Sequence, residues 1–296
     1  LSYYGRTSKK QKKGLAMANV LIAGCGDIGC LLGKRLSQQG HSVFGLRRNV
    51  DALPDCIQPI PANLTAPITN LPKQIDYVFY MASAGKYKDC AYYDAYVLGL
   101  KNLMSALKNT SIKKLFFISS SSVFGQCEGE HVDESSPTDD GVFSTKRLLE
   151  GETLALESDL NATVVRFGGI YGAGRTHLID LVREGKAHCM EGVWSNRIHA
   201  EDCAGLLAYL LAVSEKDLER VNSLYVGVDN QPTPSCEIYD WLAEQLSAPE
   251  PDRKEPTEAS RLMRSNKRIS NAKVRALGYT FKYPTYKEGF LAFLTD

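Results

Sequence analysis

The chain has 296 residues, 44% hydrophobic and 23% charged, the make-up of an ordinary globular protein with room for one large α/β domain or a domain with a smaller satellite. Its formal net charge of +1 gives no electrostatic reason to expect nucleic acid or an anionic membrane as a partner. The longest apolar run, residues 206–213, is far too short to cross a bilayer.

Residues 1–16 carry Arg6, Lys9, Lys10, Lys12 and Lys13 and no acid; subtracting these five charges from +1 leaves −4 on the rest. This stretch lacks the apolar region of a secretory signal and the amphipathic character of a transit peptide. Met17 stands just before the first expected strand, so residues 1–16 are read as a disordered basic leader. Residues 18–23 then form a short buried strand, a glycine turn follows, and a helix covers about 29–39 until Gly40 closes it. Further strands are expected at 41–46, 57–61, 77–81, 115–119 and 163–167, with helices at 92–107 and 144–157. Strands alternating with helices predict an α/β fold, a Rossmann-type doubly wound parallel sheet. Beyond Phe167 the rhythm changes: a helix near 201–213, a strand at 223–228, a proline-bearing loop at 248–256 and a short helix at 271–277 stopped by Gly278. The expected organisation is a dinucleotide-binding domain over 17–172 and about 196–230, with a smaller C-terminal α/β substrate lobe over about 173–195 and 231–296.

The chemistry begins at Gly24-Cys25-Gly26-Asp27-Ile28-Gly29. A bare GxGxxG is a weak signal, but this one follows a strand and opens a helix in the first β-α-β unit. Gly24 permits the tight turn, Gly26 lets a pyrophosphate approach the backbone, and Gly29 lets helix pack on strand. The helix N-terminus supplies unpaired N–H groups and the positive end of its dipole. About twenty residues on, an acid would hold the ribose 2′-hydroxyl of NAD. The chain offers Arg47 and Arg48 instead, with no carboxylate before Asp51. Two guanidiniums suit a 2′-phosphate, so NADP(H) is favoured over NAD(H). The eight cysteines show no CxxC pair and no Cys/His cluster with zinc spacing, so no metal is expected, and the thiols are read as reduced in a cytoplasmic protein.

Several longer stretches fall in a recognisable order: Ile22-Ala23-Gly24-Cys25-Gly26-Asp27-Ile28-Gly29, Phe117-Ile118-Ser119-Ser120-Ser121-Ser122-Val123-Phe124-Gly125, Arg166-Phe167-Gly168-Gly169-Ile170-Tyr171-Gly172-Ala173-Gly174-Arg175, Asn196-Arg197-Ile198-His199-Ala200-Glu201-Asp202 and Ser265-Asn266-Lys267-Arg268-Ile269-Ser270-Asn271. With these the chain resembles the extended short-chain dehydrogenases/reductases, the NAD-dependent epimerase/dehydratase group, and within them the atypical members with incomplete active-site residues. The resemblance runs from Asn19 to Phe290. It implies a cleft between the Rossmann domain and the substrate lobe, with cofactor contacts from Asn63, Leu64, Met81, Ala82, Lys146, Phe167, Gly168 and Ile170 besides those already named. It implies a catalytic Ser at Ser120 and a lysine at Lys146. The usual tyrosine position is occupied by Val142, and the usual asparagine position by Tyr96. A displaced Tyr-x-x-x-Lys, Tyr283 to Lys287, contains Pro284 and lies among turn-like residues away from the expected helix, so it is read as coincidence.

In these enzymes the tyrosine hydroxyl exchanges a proton while hydride moves at carbon, and valine has no titratable atom. Two functions therefore compete. One is an NAD(P)-dependent oxidoreductase or epimerase/dehydratase with a rearranged proton donor, drawn from Tyr87, Tyr92, Tyr93 or His199, acting on a small molecule clamped by Arg175, Arg197 and His199. The other is a non-catalytic dinucleotide-binding sensor or partner-binding protein. The resemblance also implies a homodimer built on the helices at 92–107 and 144–157.

Overall fold

The computed structural model describes residues 17–255 and 265–294, so the basic leader and its expected disorder lie outside the described residues. In chain order, β1 (Asn19–Ala23), α1 (Asp27–Gln38), β2 (Ser42–Arg47), β3 (Gln58–Pro61) and β4 (Tyr77–Tyr80) lead to α2 (Asp89–Tyr93), a π-helical turn (Asp94–Leu98) and α3 (Gly99–Leu107). After these come β5 (Lys114–Ser120), β6 (Glu130–Val132), α4 (Phe143–Leu156), β7 (Ala162–Phe167) and β8 (Gly169–Tyr171). Then follow α5 (His177–Arg183), β9 (His188–Met190), β10 (Trp194–Ser195), β11 (Arg197–His199), α6 (Ala200–Lys216) and β12 (Leu224–Gly227). The chain ends in β13 (Thr233–Pro234), α7 (Ser235–Leu246), β14 (Asp252–Lys254), β15 (Lys267–Ile269), α8 (Ala272–Leu277) and α9 (Tyr286–Leu294).

Seven strands form one sheet in the order β12-β7-β5-β4-β1-β2-β3, every pairing in it parallel. Such a sheet must be covered on both faces, which is why its strands read as continuous apolar runs rather than alternating ones. One face carries α1 and α6, whose Leu32, Leu36, Leu207 and Leu211 join Val20, Ile22 and Phe79 in a single core. The other carries α3 and α4 through Leu100, Leu103, Leu107 and Ala155, packed on Leu21, Val78 and Phe117. This is the doubly wound arrangement expected from the sequence. A third core, with Ile179, Val182, Leu242 and Phe290, joins α5, α7 and α9 on the C-terminal side.

Three expectations need correction. The helix expected over 92–107 begins at Asp89 and is interrupted at Asp94–Leu98. Here the Gly99 N–H bonds to the Asp94 carbonyl, five residues back, while the Ala95 carbonyl accepts from the buried Tyr80 hydroxyl at 2.5 Å. A tertiary contact has taken a carbonyl from the helical ladder, one known cause of such bulges. Gly99 makes the approach possible, since a Cβ there would sit 2.5 Å from that hydroxyl. The loop expected at 248–256 contains β14, which pairs with β9; its hydrogen bonds come from a distant segment that local composition does not reveal. The thiols are not all reduced, because Cys189 and Cys236 form a disulfide across 47 residues, with Cα atoms 5.1 Å apart. That separation matches no local motif, and only the packing of β9 beside α7 creates the pair. It also removes the cysteine argument for a reducing compartment. No helix among the described residues is long and apolar enough to cross a membrane.

Candidate functional site

The C-terminal ends of β1, β2, β4, β5 and β7 open onto one cleft of about 1070 Å³, at the edge where ligands bind in open parallel sheets. Its floor is the turn from β1 to α1. A Cβ on Gly24, where φ is +80°, would lie 2.6 Å from the Ala82 backbone nitrogen, so the turn closes tightly on the strand beside it. A Cβ on Gly29 would press on Ile22 at 3.1 Å. At Gly26 the nearest atom would be 4.0 Å away, leaving open space over the N-cap of α1, which no side chain caps. These are the three properties a pyrophosphate cradle requires, and the residues present fit a dinucleotide. Cys25, in the same turn, is pushed up to about 12 by burial and stays a thiol.

Gly24, Gly26, Asp27, Ile28, Gly29, Arg47, Arg48, Asn63, Leu64, Met81, Ala82, Phe167, Gly168 and Ile170 all line this cleft, as do Ser120 and Arg175. At its β2 end Arg47 is half-buried and donates to the Cys25 carbonyl at 3.2 Å, whereas Arg48 is exposed. Among the described residues no carboxylate forms an ion pair with either guanidinium. Arg175 reaches back to this end of the cleft, where its Nη2 and Nε hold Asp27 Oδ2 at 2.6 and 2.7 Å. It thereby neutralises the one carboxylate in the cradle turn.

Ser120, the last residue of β5, accepts the Ser122 N–H through Oγ at 3.2 Å, which leaves its hydroxyl hydrogen for another acceptor. Beneath it Ser119 donates to Glu152 at 2.6 Å, and Glu152 takes Arg166 in a two-pronged ion pair at 2.6 and 3.0 Å. Both charged residues are under 7% exposed. This buried network ties β5, α4 and β7 together under the cleft floor.

Lys146, in the first turn of α4, is exposed and outside the cleft lining; its charge acts on Asp89. Val142 is the N-cap of that helix. Tyr87 is 57% exposed and stacks on Phe143, Tyr93 lies under Arg147, and Tyr92 packs between Tyr87, Phe143 and Tyr96. None of Tyr87, Tyr92 and Tyr93 is among the residues lining the cleft. His199 is buried and caps α6, its Nδ1 accepting the Glu201 N–H at 3.2 Å while Nε2 carries the proton and meets no hydrogen-bond partner among the described residues. Burial holds its pKa below the usual histidine range. The Tyr283 ring packs against it at a tilt of 52°, with centroids 4.1 Å apart. Arg197 precedes it on β11, and its Nε is likewise buried with no hydrogen-bond partner among the described residues. Neither Arg197 nor His199 lines the cleft. The structure thus gathers the expected cofactor residues around Ser120 and leaves Lys146, Arg197 and His199 outside.

Tyr96 is the side chain that sequence reasoning treated only as a loss. It sits in the π-helical turn and lines the cleft with Ser120 and Ala84. Its signal was available: a hydroxyl-bearing residue at the position where the resemblance calls for asparagine.

The profile of the NAD dependent epimerase/dehydratase family matches residues 20–222. Among solved structures, a Methylobacillus flagellatus protein assigned to the NAD-dependent epimerases/dehydratases is 34% identical, with 95% of this chain and 98% of that one covered and a TM-score of 0.77. The human epimerase family protein SDR39U1, solved with NADPH, has a TM-score of 0.76 over 94% of this chain and 99% of its own, at 20% identity. A curated relative from Streptomyces, 3-diazoavenalumate denitrifying reductase, is 28% identical over 180 residues, covering 53% of this chain and 57% of its own length. The match therefore spans a little over half of that relative. The chain belongs to the NAD-dependent epimerase/dehydratase family.

Proposed function

We propose that this chain is an NADP(H)-dependent oxidoreductase that reduces a small carbonyl-type substrate. The observation that carries the reading is the pair Arg47 and Arg48 at the β2 end of the same cleft that holds the Ser120 hydroxyl. Two guanidiniums with no carboxylate partner among the described residues suit a 2′-phosphate, and the pyrophosphate would lie over Gly26 and the N-terminus of α1. A nicotinamide nucleotide bound this way supplies hydride chemistry. Ser120 donates a hydrogen bond to the substrate oxygen and polarises it, and Phe167, Gly168 and Ile170 exclude water from that end. The reductase named among the relatives supports this direction, as does the human neighbour solved with NADPH.

A second reading, a non-catalytic dinucleotide sensor, is favoured by one feature. Val142 stands where the family tyrosine belongs, and the Lys146 side chain lies outside the cleft lining. Two measurements separate the readings: mass spectrometry of any co-purifying nucleotide, and NADPH oxidation followed at 340 nm against a panel of quinones, aldehydes and ketones. Binding with turnover supports the reductase. Binding without turnover by any carbonyl supports the sensor, and no binding of either nicotinamide cofactor overturns both.

A further inference from the structure

We infer that Tyr96 is the proton-donating residue of this cleft, placed there by the π-helical turn in the helix after β4; the inference rests on the reductase reading above. The canonical donor would rise from α4, but Val142 is apolar and Lys146 is exposed. Of the tyrosines after β4, Tyr96 is the one that lines the cleft, in company with Ser120, Ala84 and Ala95. Its ring is held on one side by Tyr92, with centroids 5.5 Å apart, and on the other by the core between sheet and helices. The Ala84 backbone N–H lies on the side of its hydroxyl and acts to lower the phenol pKa, against the larger effect of burial.

The backbone explains why this residue faces inward. One α-helical residue turns the chain through about 100°. The extra residue accommodated at Asp94–Leu98 therefore re-aims everything before Gly99 relative to a straight helix. Tyr80 enforces that insertion from β4 by holding the Ala95 carbonyl.

The step balances simply. Hydride from the reduced nicotinamide forms a new C–H bond at the carbonyl carbon while the C=O π pair moves to oxygen. That oxygen takes the Tyr96 proton, the product is an alcohol and the cofactor leaves oxidised; the Tyr96 phenolate regains its proton from water at the cleft mouth. Burial and the neighbouring Tyr92 push the Tyr96 phenol up to about 12. A phenol kept neutral is a poor base but an adequate acid toward an alkoxide, which is more basic still.

The test uses the full chain with tyrosine labelled by ¹³C at the ring carbon that bears oxygen, the Tyr96 resonance being assigned with Tyr96→Phe. NADP⁺ should lower the Tyr96 pKa by about one pH unit or more, because a nicotinamide cation held in the same cleft would favour the phenolate, and NADPH should not. Tyr96→Phe should bind NADPH as wild type does while its kcat for 9,10-phenanthrenequinone falls about 100-fold or more. If that variant fails to fold, 3,5-difluorotyrosine at position 96 preserves shape and lowers the phenol pKa. The basic limb of the kcat profile should then move down with it. Cofactor binding with an unresponsive Tyr96 resonance, an unmoved pH limb or a Phe variant of normal kcat overturns the assignment and leaves the reductase reading standing. Absence of cofactor binding or of turnover by the wild type overturns that reading, and this inference with it.

Discussion

Replacing Arg47 and Arg48 together by alanine tests the cofactor end of the cleft. The two side chains differ in setting: Arg47 is half-buried and anchored to the Cys25 carbonyl, and Arg48 is exposed. At about 4 Å in a water-like medium each unit-charge pair is worth about 1 kcal/mol. A phosphate near two negative charges, met by two guanidiniums, therefore gains a few kcal/mol, reduced by salt at the exposed arginine. Even the lower part of that range, about 1.4 kcal/mol, is a tenfold preference. Wild type should accordingly bind NADPH at least about tenfold more tightly than NADH, read from nicotinamide fluorescence titrations. The double variant should lose most of that gap by weakening NADPH and leaving NADH nearly unchanged. Raising salt should shrink the wild-type gap and leave that of the variant alone. Equal affinities in wild type, or a variant that weakens both cofactors alike, would refute the assignment of these arginines to a 2′-phosphate.

Other consequences follow from the buried groups. Glu152→Ala strands Arg166 in the core beneath Ser120 and should cost about 3–5 kcal/mol in denaturant unfolding, whereas Glu152→Leu with Arg166→Met should cost much less; equal losses would show that the pair is not the cause. Asp229 is 2% exposed, its Oδ2 has no hydrogen-bond partner among the described residues, and burial pushes it up from 3.8 to about 7. A carboxyl raised on folding leaves the native state most favoured below 3.8 and erodes that advantage as pH climbs through 7. Asp229→Asn should therefore stabilise the protein at pH 8 by up to about 4 kcal/mol and do almost nothing at pH 4, the Gln231 N–H being still accepted by an amide oxygen; a pH-independent effect would contradict the burial argument. Reducing the disulfide, or Cys189→Ser with Cys236→Ser, reopens a loop of 47 residues and should lower stability by about 4 kcal/mol if chain entropy governs. An unchanged melting temperature would show that the α5–α7–α9 core holds this region without it.

The cofactor half of the cleft was legible because its requirements are local. A tight turn, a bare Cα facing the ligand and a close helix-strand contact each demand glycine at a fixed offset, and the chain has Gly24, Gly26 and Gly29 there. The sheet was legible for a related reason: strands covered on both faces must be mostly apolar, and β1, β4 and β7 are, with Arg166 of β7 neutralised by Glu152. What escaped depends on partners far away in sequence. The strand β14 exists because β9 supplies its hydrogen bonds, and the Cys189–Cys236 bond exists because two distant elements of the third core meet. His199 gives its Nδ1 to the N-terminus of α6, a role set by the helix that follows it and not visible in the short segment around it.

The chemical half of the cleft shows how one hydroxyl can redirect a helix. Tyr80 belongs to the central sheet, is not among the residues lining the cleft, and holds the carbonyl of Ala95, which is. A buried phenol must find an acceptor or incur a desolvation cost of about 1–3 kcal/mol. The acceptor within reach was a helical carbonyl, and satisfying it displaced the helical bond that would have run from Gly99. The substitution pattern is coherent once these residues are taken together. Gly99 leaves room for the Tyr80 hydroxyl, the π-helical turn re-aims residue 96, and residue 96 is a tyrosine in a cleft whose usual tyrosine position is valine. A straight helix would have no use for that combination. Periodicity alone reads 92–107 as one continuous helix, because the insertion is caused by a strand residue sixteen positions before Tyr96.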